Sequence, residues 1–263
     1  MNFIFLLVSF LASVAGGICG IGGGVIIKPV LDAIGIMDVS SISFLSGCTV
    51  LSMSIISVMK SLKRDKSMVN LKTGTSLALG AAIGGILGKE MFQYVYLVLP
   101  DKDKVGAIQA VVLVFITIST LLYTIYSYKI KTHHIENLPV CAIIGLFLGI
   151  LSTFLGIGGG PINLVVLTYF FSMDMKSGAV NSLYIIMFSQ FTSLVNTVIG
   201  GTVPKFSILV LVLMVIGGVA GGMVGSKVNK TISIKNVNKL FITLMVAIIF
   251  INIYNAVKFS IGF

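Results

Sequence analysis

The sequence predicts an all-α polytopic membrane protein made of two inverted four-segment repeats, each beginning with a helix that glycines break. Three observations lead to this fold class: an apolar composition along the whole chain, an internal repeat, and the distribution of lysines between the apolar segments.

The composition is too apolar for a water-soluble protein. Of the 263 residues, 57% are hydrophobic and only 10% are charged, and the mean hydropathy is +1.10. An average soluble domain is about 25% charged, so this chain could not cover a soluble surface. A soluble enzyme, a disordered protein and a disulfide scaffold are therefore excluded. Apolar segments of about 20 residues, the length that crosses a bilayer, follow one another instead.

The cysteines and the net charge do not indicate a metal site or nucleic-acid binding. Cys19, Cys48 and Cys141 lie inside apolar runs, which is typical of small packed side chains. His133 and His134 are adjacent but have no third ligand nearby in the sequence. The net charge is +10, but the lysines cluster between apolar segments, as topology signals do. We therefore expect the lipid bilayer as a partner, no nucleic acid and no cofactor.

The chain repeats itself. The pentapeptide Gly20–Gly24 (GIGGG) recurs as Gly156–Gly160, at an offset of 136 residues. A second landmark recurs at an offset of 137: Gly80, Gly84, Gly85 and Gly88 match Gly217, Gly221, Gly222 and Gly225. Two landmarks in one register predict an N-terminal membrane repeat, residues 1–132, and a C-terminal one, residues 133–263. Internal repeats are typical of transporters.

Each half contains four apolar segments. They are 3–35, 41–59, 71–88 and 105–128 in the first half, and 138–172, 178–199, 206–225 and 238–258 in the second. Continuous apolar runs without alternation predict helices. The stretch 91–99 is apolar but too short to span, so we expect it at a membrane interface.

The lysines predict the topology. If each glycine-containing segment crossed the membrane once, the 18 Lys and Arg would divide into nine and nine. If the glycines turn the chain back, or make two crossings, the division becomes twelve against six. The positive-inside rule then puts both termini outside and loops 60–72, 129–137 and 227–237 in the cytoplasm of a bacterial-type plasma membrane. An odd number of passages per half makes the repeats inverted, which suits alternating access.

The adjacent glycines predict a helix break. Each costs about 1 kcal/mol in a helix relative to alanine, so we expect a half-helix, a turn and a second half-helix. Restarts at Val25 and Pro161 would present free N–H groups and a positive dipole end to an anion. The predicted site therefore includes Gly22, Gly23, Gly24, Gly158, Gly159 and Gly160. The alternative is that these glycines only allow close helix packing.

Polar side chains near the breaks complete the candidate site. Lys28 follows Gly24 by four residues, where it either binds an anion or pairs with Asp32 and reaches the surface. Polar stripes on 41–59 and 178–199 could line a hydrated path. Residues of these helices near the breaks add Ser46, Asn181 and Ser182, and Asn163, two residues after Pro161, is added as well.

These motifs resemble a known family. A G-x-G-G-G motif early in each half, the start of the following helix at Ala179–Leu183 and the turn Gly200–Val203 resemble the TauE/SafE sulfite exporter family over nearly the whole chain. The resemblance implies a repeat transporter, of a type with four membrane segments per repeat, that moves sulfur-containing anions and is not an enzyme.

We therefore expect a transporter, generally an exporter, of a small anion such as sulfite, an organosulfonate or a related sulfur oxyanion or carboxylate. It would work by alternating access, with a midplane site built from the two GIGGG breaks. An anion channel of the same architecture and a membrane-embedded assembly factor remain alternatives. A homodimer also remains open.

Overall fold

The structure, a computed structural model, describes residues 2–64, 69–99, 101 and 103–261. All regular secondary structure in these ranges is helical: α1 (Asn2–Cys19), α2 (Gly24–Ile34), α3 (Val39–Arg64), α4 (Leu71–Val98), α5 (Asp103–Tyr126), a 3₁₀ turn (Ser127–Lys129), α6 (Leu138–Phe154), α7 (Pro161–Phe171), α8 (Met175–Ile199), α9 (Ile208–Thr231) and α10 (Ile234–Ile261). Six of these helices, α1, α3, α5, α8, α9 and α10, are long and apolar enough to cross a membrane. The prediction of an all-helical, multi-pass membrane protein is thereby confirmed.

Local sequence explains where several helices begin and end. Asn70, Asn137 and Asp174 precede α4, α6 and α8, and their side chains accept hydrogen bonds from N–H groups of the first turn. Gly35 ends α2 in the left-handed conformation, with φ of 73° and its N–H bonded to the Leu31 carbonyl.

Helix α4 is longer than the sequence predicted. We expected a segment that ends at Gly88 and a separate interfacial stretch at 91–99, but one helix runs to Val98. No glycine or proline follows Gly88 in this helix, and Lys89 and Glu90 are good helix formers, so nothing stops it. The extension places Lys89 inside the bundle, where it is 6% exposed.

Glycines let two pairs of helices pack closely. A Cβ at Gly217 would meet Leu6, and one at Gly225 would meet Val14. Later residues of α9 thus contact later residues of α1, so the two helices are parallel. Helices α4 and α6 pack in the same way, from Gly80 against Ala142 to Gly88 against Ile150. Small residues at four-residue spacing permit this approach.

Helices α3 and α8 cross the centre of the bundle in opposite directions. Ser41 Oγ donates to the Lys205 carbonyl at 2.9 Å and Ser57 Oγ to the Gly222 carbonyl, so α3 runs with α9. Helix α8 runs with α4, because Asn181 meets Asn70 and Thr192 meets Ala82. Helices α3 and α8 are antiparallel, because Gly47 lies against Leu194, whereas the later Val50 and the earlier Ile186 both contact Gly22.

The two ends of the bundle differ in charge. We call the end where α3 and α9 finish and α4 and α8 begin the basic end, because most described lysines at helix ends and in loops lie there: Lys60, Lys63, Lys72, Lys129, Lys131, Lys176, Lys227, Lys230, Lys235 and Lys239. At the opposite end α5 begins and α10 finishes, with Gly106 against Phe259. Residues 65–68 of the predicted cytoplasmic loop 60–72 lie outside the described residues.

Contacts between helices come in matching pairs. Each helix of the first half has a match five places later in the second half, so α1 matches α6 and α4 matches α9. Under this matching the contact α1–α9 corresponds to α6–α4, α3–α9 corresponds to α8–α4, and α2–α10 corresponds to α7–α5. All six of these helix pairs are in contact. The pairs α3–α8 and α5–α10 map onto themselves. The first half therefore packs mainly onto the second.

Candidate functional site

Both predicted helix breaks are present. Helix α1 ends at Cys19 and α2 begins at Gly24, while α6 ends at Phe154 and α7 begins at Pro161. The chain turns at Gly20 and Gly156, which match in the two halves and have φ of 73° and 66°. An L-residue rarely adopts this backbone conformation, which explains glycine at both positions.

The chain folds back on itself after the first break. A Cβ at Gly23 would meet Ser13, and one at Gly16 would meet Gly22 and Gly23, so the start of α2 lies against the last turns of α1. Helices α2 and α7 have 11 residues each, or about 16 Å. Each covers about half of a 30 Å hydrocarbon core.

The two breaks meet inside the bundle. A Cβ at Gly24 would collide with the Ile157 carbonyl, and one at Gly22 would lie 3.7 Å from the Gly158 carbonyl oxygen. Val50 of α3 contacts Gly22 and Gly158 from one side, and Ile186 of α8 contacts Gly22 and Gly159 from the other. We call Gly20–Gly24 and Gly156–Gly160 together the glycine junction.

Backbone donors at the junction are buried and unpaired. Within the described part of the chain no hydrogen-bond acceptor meets the N–H groups of six junction residues: Gly22, Gly23, Gly24, Gly158, Gly159 and Gly160. More than nine in ten buried backbone N–H groups in proteins have a partner. Such donors at two helix N-termini suit an anionic acceptor.

Lys28 is buried and paired. Its Nζ lies 2.6 Å from Asp32 Oδ2, and 3% and 6% of the two side chains are exposed. The pairing expected in the alternative interpretation is present, but Lys28 does not reach the surface. Its stem lies beside Gly156, with Cε 3.2 Å from the position of a Cβ there, and Asp32 Oδ1 has no partner. Lys28 of the first half thus contacts the break of the second.

Two predicted serines occupy matching positions near the junction. Ser46 and Ser182 precede Val50 and Ile186 by four residues, so each lies one helical turn from a side chain that contacts the junction. Both serines are completely buried, and neither Oγ has a hydrogen-bond partner among the described residues. Asn163 also lies near the junction, with Nδ2 3.6 Å from the Cβ position of Gly159 and Oδ1 unpaired.

Asn181 faces a different part of the bundle. Its Nδ2 donates to the Ser177 carbonyl at 2.9 Å, and its Oδ1 accepts from the N–H of Asn70 just before α4. These bonds direct the amide to the start of α4 and not to the glycines. The structure therefore places the six glycines, Lys28 and Asn163 at or beside the junction. Because α3 and α8 run in opposite directions, Ser46 and Ser182 lie one turn from it on opposite sides, and the Asn181 amide is directed elsewhere.

Two buried polar residues near the site were not among those predicted. Ser43 Oγ lies against Gly156 and has no partner. Its match at the offset of 136 is Ala179, which lies against Gly20 in the same way, so the repeat register could have identified it. Lys89 was predicted at the end of a segment, and only the full length of α4 shows that it is buried.

Small cavities lie on both sides of the junction. One of about 20 Å³, towards the basic end, is lined by residues that include Gly17, Ala179 and Ser226. The other, of about 10 Å³ and on the opposite side, is lined by residues that include Lys28 and Asp32. Each volume holds about one water molecule, so the junction is closed to solutes from both of these cavities.

The comparison with known proteins agrees with these features. A family model described as sulfite exporter TauE/SafE matches residues 5–251, which include both breaks. No curated protein and no solved structure matches the chain. The family is one of transporters and not of enzymes, and it implies a small anionic substrate. The chain therefore belongs to the TauE/SafE sulfite exporter family.

Proposed function

We propose that this protein exports a small sulfur-containing anion, such as sulfite or an organosulfonate, across a bacterial-type plasma membrane by alternating access. One observation carries the proposal: two helix breaks, one from each half, meet inside the bundle with buried and unpaired N–H donors. Fixed amide dipoles in a dry environment suit a compact oxyanion, because it offers several acceptor oxygens at once.

We also propose that residues 1–132 and 133–263 form inverted repeats. The proposal is supported by the helix directions, since α1 runs with α3 and α9, whereas its match α6 runs with α4 and α8. The matched helix contacts support it further. If the two halves exchange conformations, a site at their junction becomes open to the other side of the membrane.

The basic end is proposed to face the cytoplasm. This orientation follows the positive-inside rule, because most described Lys residues in loops and at helix ends lie at that end. The Lys28–Asp32 pair then lies on the external side of the junction, and the cavity at Gly17 and Ala179 on the cytoplasmic side.

Each site residue has a proposed role. The N–H groups of Gly22–Gly24 and Gly158–Gly160 bind the anion, and the hydroxyls of Ser46 and Ser182 donate to it on opposite sides of the junction. The amide of Asn163 adds a donor at the start of α7. Lys28 supplies positive charge when the anion replaces Asp32 as its partner.

Counterflow in proteoliposomes tests the proposal. Purified protein is reconstituted in liposomes loaded with unlabelled sulfite, and uptake of ³⁵S-sulfite is measured with isethionate, sulfate and acetate as competitors. We expect saturable, trans-stimulated uptake that sulfite and isethionate inhibit most strongly. Ionic current without trans-stimulation would instead indicate a channel. If none of these anions is transported or raises the melting temperature, the proposal is wrong, because a ligand of the native state stabilises it.

A further inference from the structure

Lys89 is a buried cation without an anionic partner. It lies nine residues before the end of α4 and is 6% exposed. Among the described residues no carboxylate lies within ion-pair distance of its Nζ and no hydrogen-bond acceptor meets it. Its Nζ is 5.0 Å from the centre of the Phe92 ring.

Such a lysine is unfavourable for stability. A charged side chain inside a membrane protein usually pairs or faces a hydrated path, since burial without a partner removes its hydration. The Phe92 ring compensates only partly, because a cation–π contact is weaker than the lost hydration. Lys89 also cannot reach water in this conformation, so a bound anion would stabilise its charge.

The repeat register relates Lys89 to the transport path. At the offset of 137 it matches Ser226, which lines the cavity on the basic side together with Gly17 and Ala179. The residues that match Gly17 and Ala179 are Thr153 and Ser43, which lie against Gly88 and Gly156. Lys89 therefore lies at the position that the repeat relates to the lining of that cavity, on the other side of the glycine junction.

A second unpaired donor lies in the same region. Gln190 of α8 is 4% exposed, its Oε1 lies against Gly47, and its Nε2 has no partner. Gly85, one turn before Lys89 on α4, contacts Ser189, the neighbour of Gln190. An ammonium and a primary amide then face the α3–α4–α8 contact from two helices.

We propose that Lys89, with Gln190, forms a second anion-binding subsite on the external side of the glycine junction. It takes the same class of compact oxyanion and becomes accessible when the external side opens. The inference rests on the proposed function, which it deepens by dividing the path into a junction site and an external subsite.

Membrane vesicles of defined orientation test the subsite. Uptake of ³⁵S-sulfite and ³⁵S-isethionate is measured in right-side-out and inside-out vesicles that contain wild type, Lys89→Gln, Lys89→Arg or Lys104→Gln. Lys104→Gln is the matched control, since it removes a lysine that is exposed at the first turn of α5, on the same side of the bundle. We expect Lys89→Gln to raise the half-saturating concentration about tenfold from the external face and less than twofold from the cytoplasmic face.

The outcomes separate this inference from the proposed function. Lys89→Arg should keep the external affinity within about threefold, because it retains the charge. Unchanged affinity in Lys89→Gln, or an equal loss in Lys104→Gln, overturns the subsite while the proposed function stands. If wild type transports neither anion, the proposed function fails and the subsite fails with it.

Thermal stability supplies a second readout. Lys89→Met should melt at the same temperature as wild type or higher, since it removes a buried unpaired charge. A lysine with a purely structural role would give a lower melting temperature, and that result would overturn the inference.

Discussion

Lys28 Nζ and Asp32 Oδ2 lie 2.6 Å apart on α2, with both side chains almost completely buried. The pair neutralises Lys28 within its own half, while the lysine stem lies against Gly156 of the other half. Lys258 of α10 donates from Nζ to the Asp32 and Ala33 carbonyls and adds a second positive charge at the end of α2. Under the proposed function, an anion at the junction would compete with Asp32 for Lys28.

The pair yields the first prediction. Asp32→Asn should lower stability by about 3–5 kcal/mol, because it leaves Lys28 buried without its carboxylate. The same change should increase the melting-temperature shift that sulfite produces, because Asp32 no longer competes for Lys28. The double variant Lys28→Met with Asp32→Leu should be about as stable as wild type and respond less to sulfite. A smaller sulfite shift in Asp32→Asn than in wild type would contradict the competition.

Close approach at the glycine junction yields the second prediction. Gly24→Ala should abolish counterflow and lower stability by about 1–3 kcal/mol, since its Cβ would overlap the Ile157 carbonyl of the other half. Gly201→Ala is the matched control: Gly201 has φ of 64°, and nothing lies within 4 Å of its Cβ position. The control should cost only about 1–2 kcal/mol of backbone strain and keep counterflow. Equal transport by the two variants would show that the contact is not required.

Ser182 and its neighbour Asn181 yield the third prediction. Ser182→Ala should raise the half-saturating sulfite concentration without loss of stability, because its buried Oγ has no partner to lose. Asn181→Ala should instead lower the melting temperature and leave sulfite affinity unchanged, because its amide connects Ser177 to the start of α4. A buried hydrogen bond of this kind contributes about 1 kcal/mol. Counterflow and thermal unfolding of both variants test this prediction. If Asn181→Ala weakened sulfite affinity and Ser182→Ala did not, the anion contact would belong to Asn181.

Asp174 yields the fourth prediction, which concerns pH. Burial alone would raise the pKa of this carboxyl, but hydrogen bonds from the Ser177 hydroxyl and from the N–H groups of Ser177 and Lys176 outweigh it and lower the pKa. A lowered pKa in the folded state means that the ionised carboxylate adds stability above the unfolded-state pKa. That contribution is lost as the pH falls through the folded-state pKa.

Asp174→Asn separates the charge of this residue from its cap. Asparagine still accepts hydrogen bonds at a helix N-terminus, so the variant should keep most of the cap but lose this part of the acid dependence. Asp174→Ala should cost about 1 kcal/mol at neutral pH. Melting curves between neutral and acidic pH measure both effects, and parallel curves for wild type and Asp174→Asn would contradict the prediction.

Much of the fold follows from the sequence because its signals are local. A run of apolar residues makes a membrane helix wherever it lies, and adjacent glycines interrupt one whatever it packs against. The largest exception was α4, whose end we predicted at Gly88, although the following residues favour helix and continue it to Val98. A helix end requires a residue that stops the helix, and a fall in hydropathy alone does not do so.

The candidate site divides in the same way. The glycines, Lys28, Ser46, Asn163 and Ser182 were predicted from spacing and register, but Asn181 could not be separated from Ser182, its neighbour in the sequence. Adjacent residues on a helix point about 100° apart, and only the packing of α4 against α8 shows that the Asn181 amide bonds at the start of α4. The buried position of Lys89 likewise depends on the helices around it.

The sequence by itself determined that this chain is an all-helical membrane protein with a duplicated glycine break, because composition and repetition need no knowledge of contacts. Only the tertiary structure decided that the two breaks meet, that Lys28 pairs with Asp32 inside the bundle, and that Lys89 is buried with no carboxylate partner among the described residues. These relationships join residues from separate helices, or depend on how helices surround a side chain. Their energies come from burial and from the approach of atoms far apart in the chain, which no local pattern records.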